Sequence, residues 1–239
     1  MTTADAVGIP ALVGLAHGSR HPEVPAAVAD LMAAVAQLAA AQGTPLRAEP
    51  AFLDLTAPDL ATVCAQLAAD GVRRAVVVPL LFTSAFHATV DVPEAVRESA
   101  AAAGLTLDTA AILGTGDDVL DVLEQALDAA GVRASRVLLF AVGSSSEPAN
   151  DAVADLGARL GARRGIEVVT AFGTRAPRGR DQLDRLGADG AVLPLFCSPG
   201  LLLDPLAAAC AERGLSLVPP LGPLLAPLVL QRSAVVPVG

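Results

Sequence analysis

"RRAVVVPLLF", residues 73–82, runs apolar almost without interruption after its paired arginines. A strand with one wet face alternates polar and apolar residues, whereas a continuous Val/Leu run of this length fits a strand covered on both faces, as in the middle of a parallel sheet. "AVLPLF", residues 191–196, repeats the pattern with its proline in the corresponding place. Working outward, β-type runs fall at 10–16, 47–53, 74–82, 106–112, 136–142, 166–172 and 191–196, with a weaker one at 215–218, and Ala/Leu-rich helical stretches lie between most of them. Strand and helix in alternation predict an α/β doubly wound fold. Eight strands also suit a closed β/α barrel, but units of only ~25–30 residues favour two open sheets.

The second half repeats the first. "GLAHGSR" (14–20) lies over "LFAVGSS" (139–145), "PAFLDLTAP" (50–58) over "TAFGTRAP" (170–177), and "VVPLLFTSAFH" (77–87) over "AVLPLFCSPGL" (191–201). Three matched blocks in the same order predict a duplicated four-stranded unit, with one lobe in residues 1–130, a second in 131–239, and the boundary in "DAAGVRAS" (128–135). Open sheets of this kind bind ligands beyond the carboxyl ends of their strands, here in a cleft between the halves.

Composition narrows the partners. The chain has 239 residues, a net charge of -9 and 53% hydrophobic residues, and every one of its basic residues is arginine. An acidic chain lacks the basic face that displaces counterions from nucleic acid or an acidic membrane. Cys64, Cys197 and Cys210 are odd in number and widely spaced, which supports neither a disulfide framework nor a zinc or iron–sulfur motif. The opening "MTTADAVGIP" has no basic stretch before an apolar core, and the apolar tail "LVPPLGPLLAPLVL" is cut repeatedly by proline. A soluble, cytoplasmic monomer is expected.

Two of the three histidines, His17 and His87, follow strand candidates one and three directly. Those strands are neighbours in a doubly wound sheet, so their carboxyl ends can bring both imidazoles together. Imidazole ligates divalent iron, cobalt, nickel and zinc, and its reference pKa of ~6.5 lets it accept protons near neutrality. In the second half His17 aligns with Val142, and His87 falls close to Leu202, so one lobe keeps the reactive groups and the other closes the cleft. Asp54 reads either as a third, carboxylate ligand or as a helix N-terminal Asp. Gly18 and Ser19 either present an N–H and a hydroxyl to an anion or form the turn, the recurrence of the pair in the second half favouring the turn for Gly18. Arg20 either pairs with a ligand carboxylate or is solvated, and His21 is peripheral.

"LVGLAHGSRHP", "PAFLDLTAPDL" and "GVRRAVVVPLLFTSAFHATVDVPEAV" (71–96) together resemble the signature blocks of the sirohydrochlorin chelatases of the class II chelatase superfamily, in its two-domain fused form. The third block is the most specific. The resemblance implies two flavodoxin-like lobes, a tetrapyrrole cleft, and His17 and His87 as the metal-binding and proton-accepting pair. It implies insertion of Fe²⁺ or Co²⁺ into sirohydrochlorin on the way to sirohaem or cobalamin, with neither nucleotide nor iron–sulfur cluster. Asp54 stands where the family usually has Glu, and His21 where it usually has Asp. A carboxylate-rich substrate needs arginine at the mouth of an acidic protein, with Arg20, Arg175, Arg178 and Arg180 as candidates beside Ser19. A non-catalytic metal or tetrapyrrole carrier with the same fold is the alternative.

Overall fold

A computed structural model describes residues 10–84 and 90–234. Among the described residues eight parallel strands form two separate four-stranded sheets, in place of a closed barrel. The first contains β1 (Ala11–Ala16), β2 (Arg47–Phe52), β3 (Arg74–Pro79) and β4 (Thr106–Thr109) in the order β2-β1-β3-β4. The second contains β5 (Arg136–Ala141), β6 (Glu167–Phe172), β7 (Ala191–Pro194) and β8 (Ser216–Leu217) in the order β6-β5-β7-β8, so the topology itself is duplicated.

The expected runs at 74–82 and 191–196 end early, at Pro79 and Pro194, for one shared reason. Leu80 donates its N–H to Leu15 and Leu195 to Phe140, so each preceding proline nitrogen faces the other neighbour, β4 or β8. Both edge strands have ended by then: Val77 is level with Thr109, and Val192 with Leu217. A proline is tolerated where no partner strand asks for its missing N–H. Beyond it the chain leaves the sheet and turns across the strand ends.

Helices cover both faces of each sheet. In α1 (Val24–Ala41) the residues Val24, Val28, Leu31, Met32, Val35 and Ala39 are buried, which is the 3.6-residue stripe of a helix lying on a sheet. Among the described residues α1 is also long and apolar enough to cross a membrane, but that stripe is committed to the core. On the other face of the first sheet lie α2 (Leu60–Ala69) and α3 (Val92–Ala103), with Leu60, Val63, Leu67 and Val96 packed on Val13, Leu15 and Val77. An outer core of the same kind covers β5–β7 of the second sheet, where α7 (Asp204–Arg213), after the short α6 (Gly179–Gln182), places Leu206 and Ala209 against Leu138 and Val192.

Between the sheets lies a third core drawn from both. Leu12, Val28 and Val78 join Leu120, Leu139, Leu193 and Val229 in one buried cluster. Two helices cross over to build it. After β4, α4 (Asp117–Ala129) packs on α5 (Glu147–Arg164), where Arg159 pairs with Asp117, Arg163 with Asp121 and Glu124, and Arg164 with Asp128. At the other end of the chain α8 (Ala226–Ala234) returns to α1 and β3. Arg232 fixes it there, donating to the Ile112 and Leu113 carbonyls and pairing with Asp118 at 2.6 Å. The carboxyl ends of β1, β3, β5 and β7 therefore open into a common space.

Candidate metal and macrocycle site

That space is a cavity of about 540 Å³ lined by the segments that follow those four strands. His17 and Ser19 lie on the first lobe's wall with Leu80 and Thr83; Val142, Ser144, Leu201 and Leu202 lie on the second lobe's wall. The two walls differ in chemistry. Val142, Leu201 and Leu202 leave 44%, 56% and 38% of their surface exposed, an unusual concentration of large apolar side chains facing solvent, and they stand in the lobe that lacks histidine. His17 stands beside Leu80, Leu81 and Phe82 on one side of the cavity, and Val142, Leu201 and Leu202 stand beside Ser144, Ser145 and Ser198 on the other.

The turn carrying His17 is tightly specified. Gly18 has φ +94°, and a Cβ there would sit 1.8 Å from the Asp54 carbonyl oxygen, so only glycine fits between the β1 and β2 loops. Gly143 repeats this with φ +88°. The turn role expected for Gly18 is what the structure has. Parallel pairing also continues past the strand ends, with Leu53 N–H donating to the Ala16 carbonyl at 2.9 Å and Asp54 N–H to that of His17 at 3.0 Å.

His17 is half-buried, and its Nδ1 lies 3.3 Å from the Gly18 carbonyl oxygen. A carbonyl can only accept, so Nδ1 carries the ring proton and the lone pair of the neutral imidazole resides on Nε2. His21 has the opposite tautomer. Its Nδ1 accepts from Glu23 N–H at 3.2 Å, and its Nε2 points at Asp204 Oδ2 of the second lobe, 3.4 Å away. His21 is not on the cavity wall. His87 lies outside the described residues; the described chain before it ends at Ser84, one residue past Thr83 of the wall.

The remaining candidates are dispersed. Asp54 is exposed and off the wall, with Oδ1 accepting from Leu55 N–H at 2.7 Å. Arg20 is exposed and also off the wall. Arg175 pairs with Glu147 at 2.8 Å, donates to the Ser144 carbonyl, and lies over the Phe172 ring. Arg178 donates to the Gly173 carbonyl and is exposed, as is Arg180, and none of the three arginines lines the cavity. Ser19 reaches the wall, but its N–H is taken by Thr56 Oγ1 at 2.8 Å and its hydroxyl accepts from His21 N–H. No group of three or more His, Cys, Asp or Glu suited to a metal occurs among the described residues.

Two residues that the sequence did not single out hold the paired turns. In the first lobe Thr56 accepts from Ser19 N–H and donates to the Ser19 carbonyl at 2.7 Å. In the second, buried Asn150 does the same for Ser144, accepting from its N–H and donating to its carbonyl, both at 2.9 Å. A polar residue on the buried face of α5 is the signal that marks Asn150. Thr56 sits inside a quoted block, but no spacing rule links it to Ser19. Cys197 lies on the wall, donating to the Leu80 carbonyl across the lobes at 3.6 Å, and burial pushes its thiol up to about 12.

Comparison with known proteins adds a second line of observation. The sequence profile of the CbiX family matches residues 11–130. The fold is similar to the sirohydrochlorin chelatase SirB from Bacillus subtilis subspecies spizizenii in complex with cobalt, with a TM-score of 0.73 and 22% identity over 95% of this chain and 94% of that one. SirB from Bacillus subtilis with Fe³⁺ gives 0.73 and 22% over 94% of each chain. CbiX, described as the terminal enzyme of sirohaem biosynthesis in denitrifying bacteria, gives 0.68 and 22% over 95% of this chain and 100% of that one. No curated protein sequence matches. At these identities the structures establish a shared fold.

Proposed function

The chain belongs to the CbiX family, and we propose that it is a sirohydrochlorin chelatase, inserting Fe²⁺ or Co²⁺ into the tetrapyrrole in sirohaem or cobalamin biosynthesis. One observation carries this reading: His17, with its lone pair on Nε2, stands across one cavity from the exposed apolar wall of Val142, Leu201 and Leu202. Insertion requires the metal to shed water and two pyrrole N–H protons to leave. A weak ligand that is also a base, facing a surface that holds the ring, serves both steps.

In this reading residues 1–130 form the reactive lobe and 131–239 the wall. His17 and His87, four residues after Thr83 of the cavity wall, hold the metal substrate through neutral imidazoles, and one of them accepts a pyrrole proton. Two ligands hold a cation loosely enough to give it up. Asp54, on the loop bonded to the His17 carbonyl, is the carboxylate that attracts the cation to this edge. Ser19 and Arg20 on the first lobe, and Arg175, Arg178 and Arg180 after β6, receive the substrate's carboxylates; Arg175 would first have to leave Glu147. The reaction calls for no nucleotide and no iron–sulfur cluster, and the protein works as a cytoplasmic monomer without nucleic acid or membrane.

The test is turnover. Purified protein is mixed with excess sirohydrochlorin and with Fe²⁺ or Co²⁺ in turn, and the absorbance change of the macrocycle is followed. Many equivalents of metallated product per protein are expected, formed faster than without protein. Binding of metal or ring that stops at one equivalent identifies a carrier instead.

A further inference from the structure

We propose that Thr56 is a positioning residue for His17, acting through the Gly18–Ser19 peptide unit. The inference rests on the chelatase reading for its consequence and on geometry alone for its cause. The Ser19 N–H that Thr56 Oγ1 accepts at 2.8 Å and the Gly18 carbonyl that holds His17 Nδ1 belong to one planar peptide group. Fixing the N–H fixes the direction of the carbonyl, and the carbonyl selects the ring tautomer with its lone pair on Nε2. The Thr56 hydroxyl holds Ser19 from both sides of its backbone, because its own proton goes to the Ser19 carbonyl at 2.7 Å. A second such partner of a metal-binding histidine commonly decides ring orientation and ligand basicity.

The backbone around Thr56 shows what is given up to place it. Leu55 has φ +62°, in the left-handed region that a branched aliphatic residue disfavours, and it is 46% exposed, so burial of its side chain does not compensate. Thr56 N–H closes onto the Asp54 carbonyl at 2.7 Å, making a three-residue turn around Leu55. The second lobe has no such turn. Its loop "FGTRAP" (172–177) is one residue shorter than "FLDLTAP" (52–58), and Ser144 is held by Asn150 of its own helix. Among the described residues this strained turn occurs only in the repeat whose first strand is followed by histidine, and it ties the His17 turn to the loop of Asp54.

With three histidines in the chain, the ring tautomers are readable by long-range ¹H–¹⁵N correlation in the metal-free, full-length protein, His17→Ala supplying the assignment. Wild type and Thr56→Ser should show His17 with the proton on Nδ1. Thr56→Val, which keeps the shape and loses the hydroxyl, should lose that single tautomer, with Thr56→Ala as the substitute if the valine variant unfolds. Cobalt affinity, followed by Co²⁺ absorbance, should fall roughly tenfold in Thr56→Val and be restored in Thr56→Ser. A Thr56→Val protein with the wild-type His17 tautomer overturns the proposal. Wild-type protein that binds no cobalt would remove the chelatase reading, and the tautomer measurement would still decide for or against Thr56.

Discussion

His17 and Val142 occupy equivalent places in the two repeats, each the first residue beyond the first strand of its sheet in chain order, each followed by a left-handed glycine, and both on the wall of one cavity. The repeat has the turn at both places and an imidazole at one. Placing histidine at Val142 should therefore not create a second working centre, because its neighbours on that wall, Leu201 and Leu202, are apolar and one imidazole is too weak a holder. Val142→His should bind no additional equivalent of Co²⁺ in a spectroscopic titration.

The apolar wall makes a separate demand. Leu201→Ser and Leu202→Ser should weaken macrocycle binding about tenfold each while leaving the KM for metal within twofold, since each removes contact area on the side away from His17. Fluorescence quenching of the tetrapyrrole on binding measures the first quantity, and steady-state kinetics at varied metal the second.

All eight strands, their parallel pairing and the division into two sheets were legible in the sequence, because apolar runs buried on both faces and an internal repeat are strong, local signals. Strand ends were less so. Whether Leu80 belongs to β3 depends on where β4 stops, and that distance is not written in either segment alone. Within the site, His17 stood out through its rarity and its place at a strand end, and Gly18 through its recurrence. The arginines expected at the mouth stand off the cavity wall for a physical reason: a guanidinium in "GTRAPRGR" can fold back on nearby carbonyls, as those of Arg175 and Arg178 do. Thr56 was invisible because its function lies in a contact across 37 residues.

The arginines after β6 should divide in their effects. Arg178 and Arg180 are exposed at the carboxyl edge of the second sheet, so neutralising both should raise the KM for a carboxylate-rich substrate several-fold, less so in high salt. Arg175→Ala should raise that KM less, because Arg175 must first leave Glu147, and should in addition lower stability by about 1 kcal/mol, through loss of the Glu147 pair and the Ser144 hydrogen bond. KM at two ionic strengths and chemical denaturation separate the two cases.

Alkali should destabilise the fold through its thiols. Burial pushes the Cys64 thiol up to about 11 from an ordinary 9.0, so the folded chain holds a proton that the unfolded chain releases. That stability is present in full below pH 9 and is lost as the pH rises toward 11. The chain has neither lysine nor tyrosine, so no other side-chain type titrates in this window. The melting temperature should fall between pH 8 and pH 10.5, and Cys64→Ala, although less stable at pH 8, should show a shallower decline.

The central claim, that metal enters the ring from His17, is tested most directly by the rate of sirohydrochlorin metallation in His17→Ala. The side chain is half-buried and lines an open cavity, so its loss should leave the folded spectrum and melting temperature close to those of the wild type. Metallation followed by absorbance, with Fe²⁺ and Co²⁺ in turn, should drop in this variant to the rate seen without protein. A folded His17→Ala protein that metallates sirohydrochlorin at the wild-type rate would contradict the account.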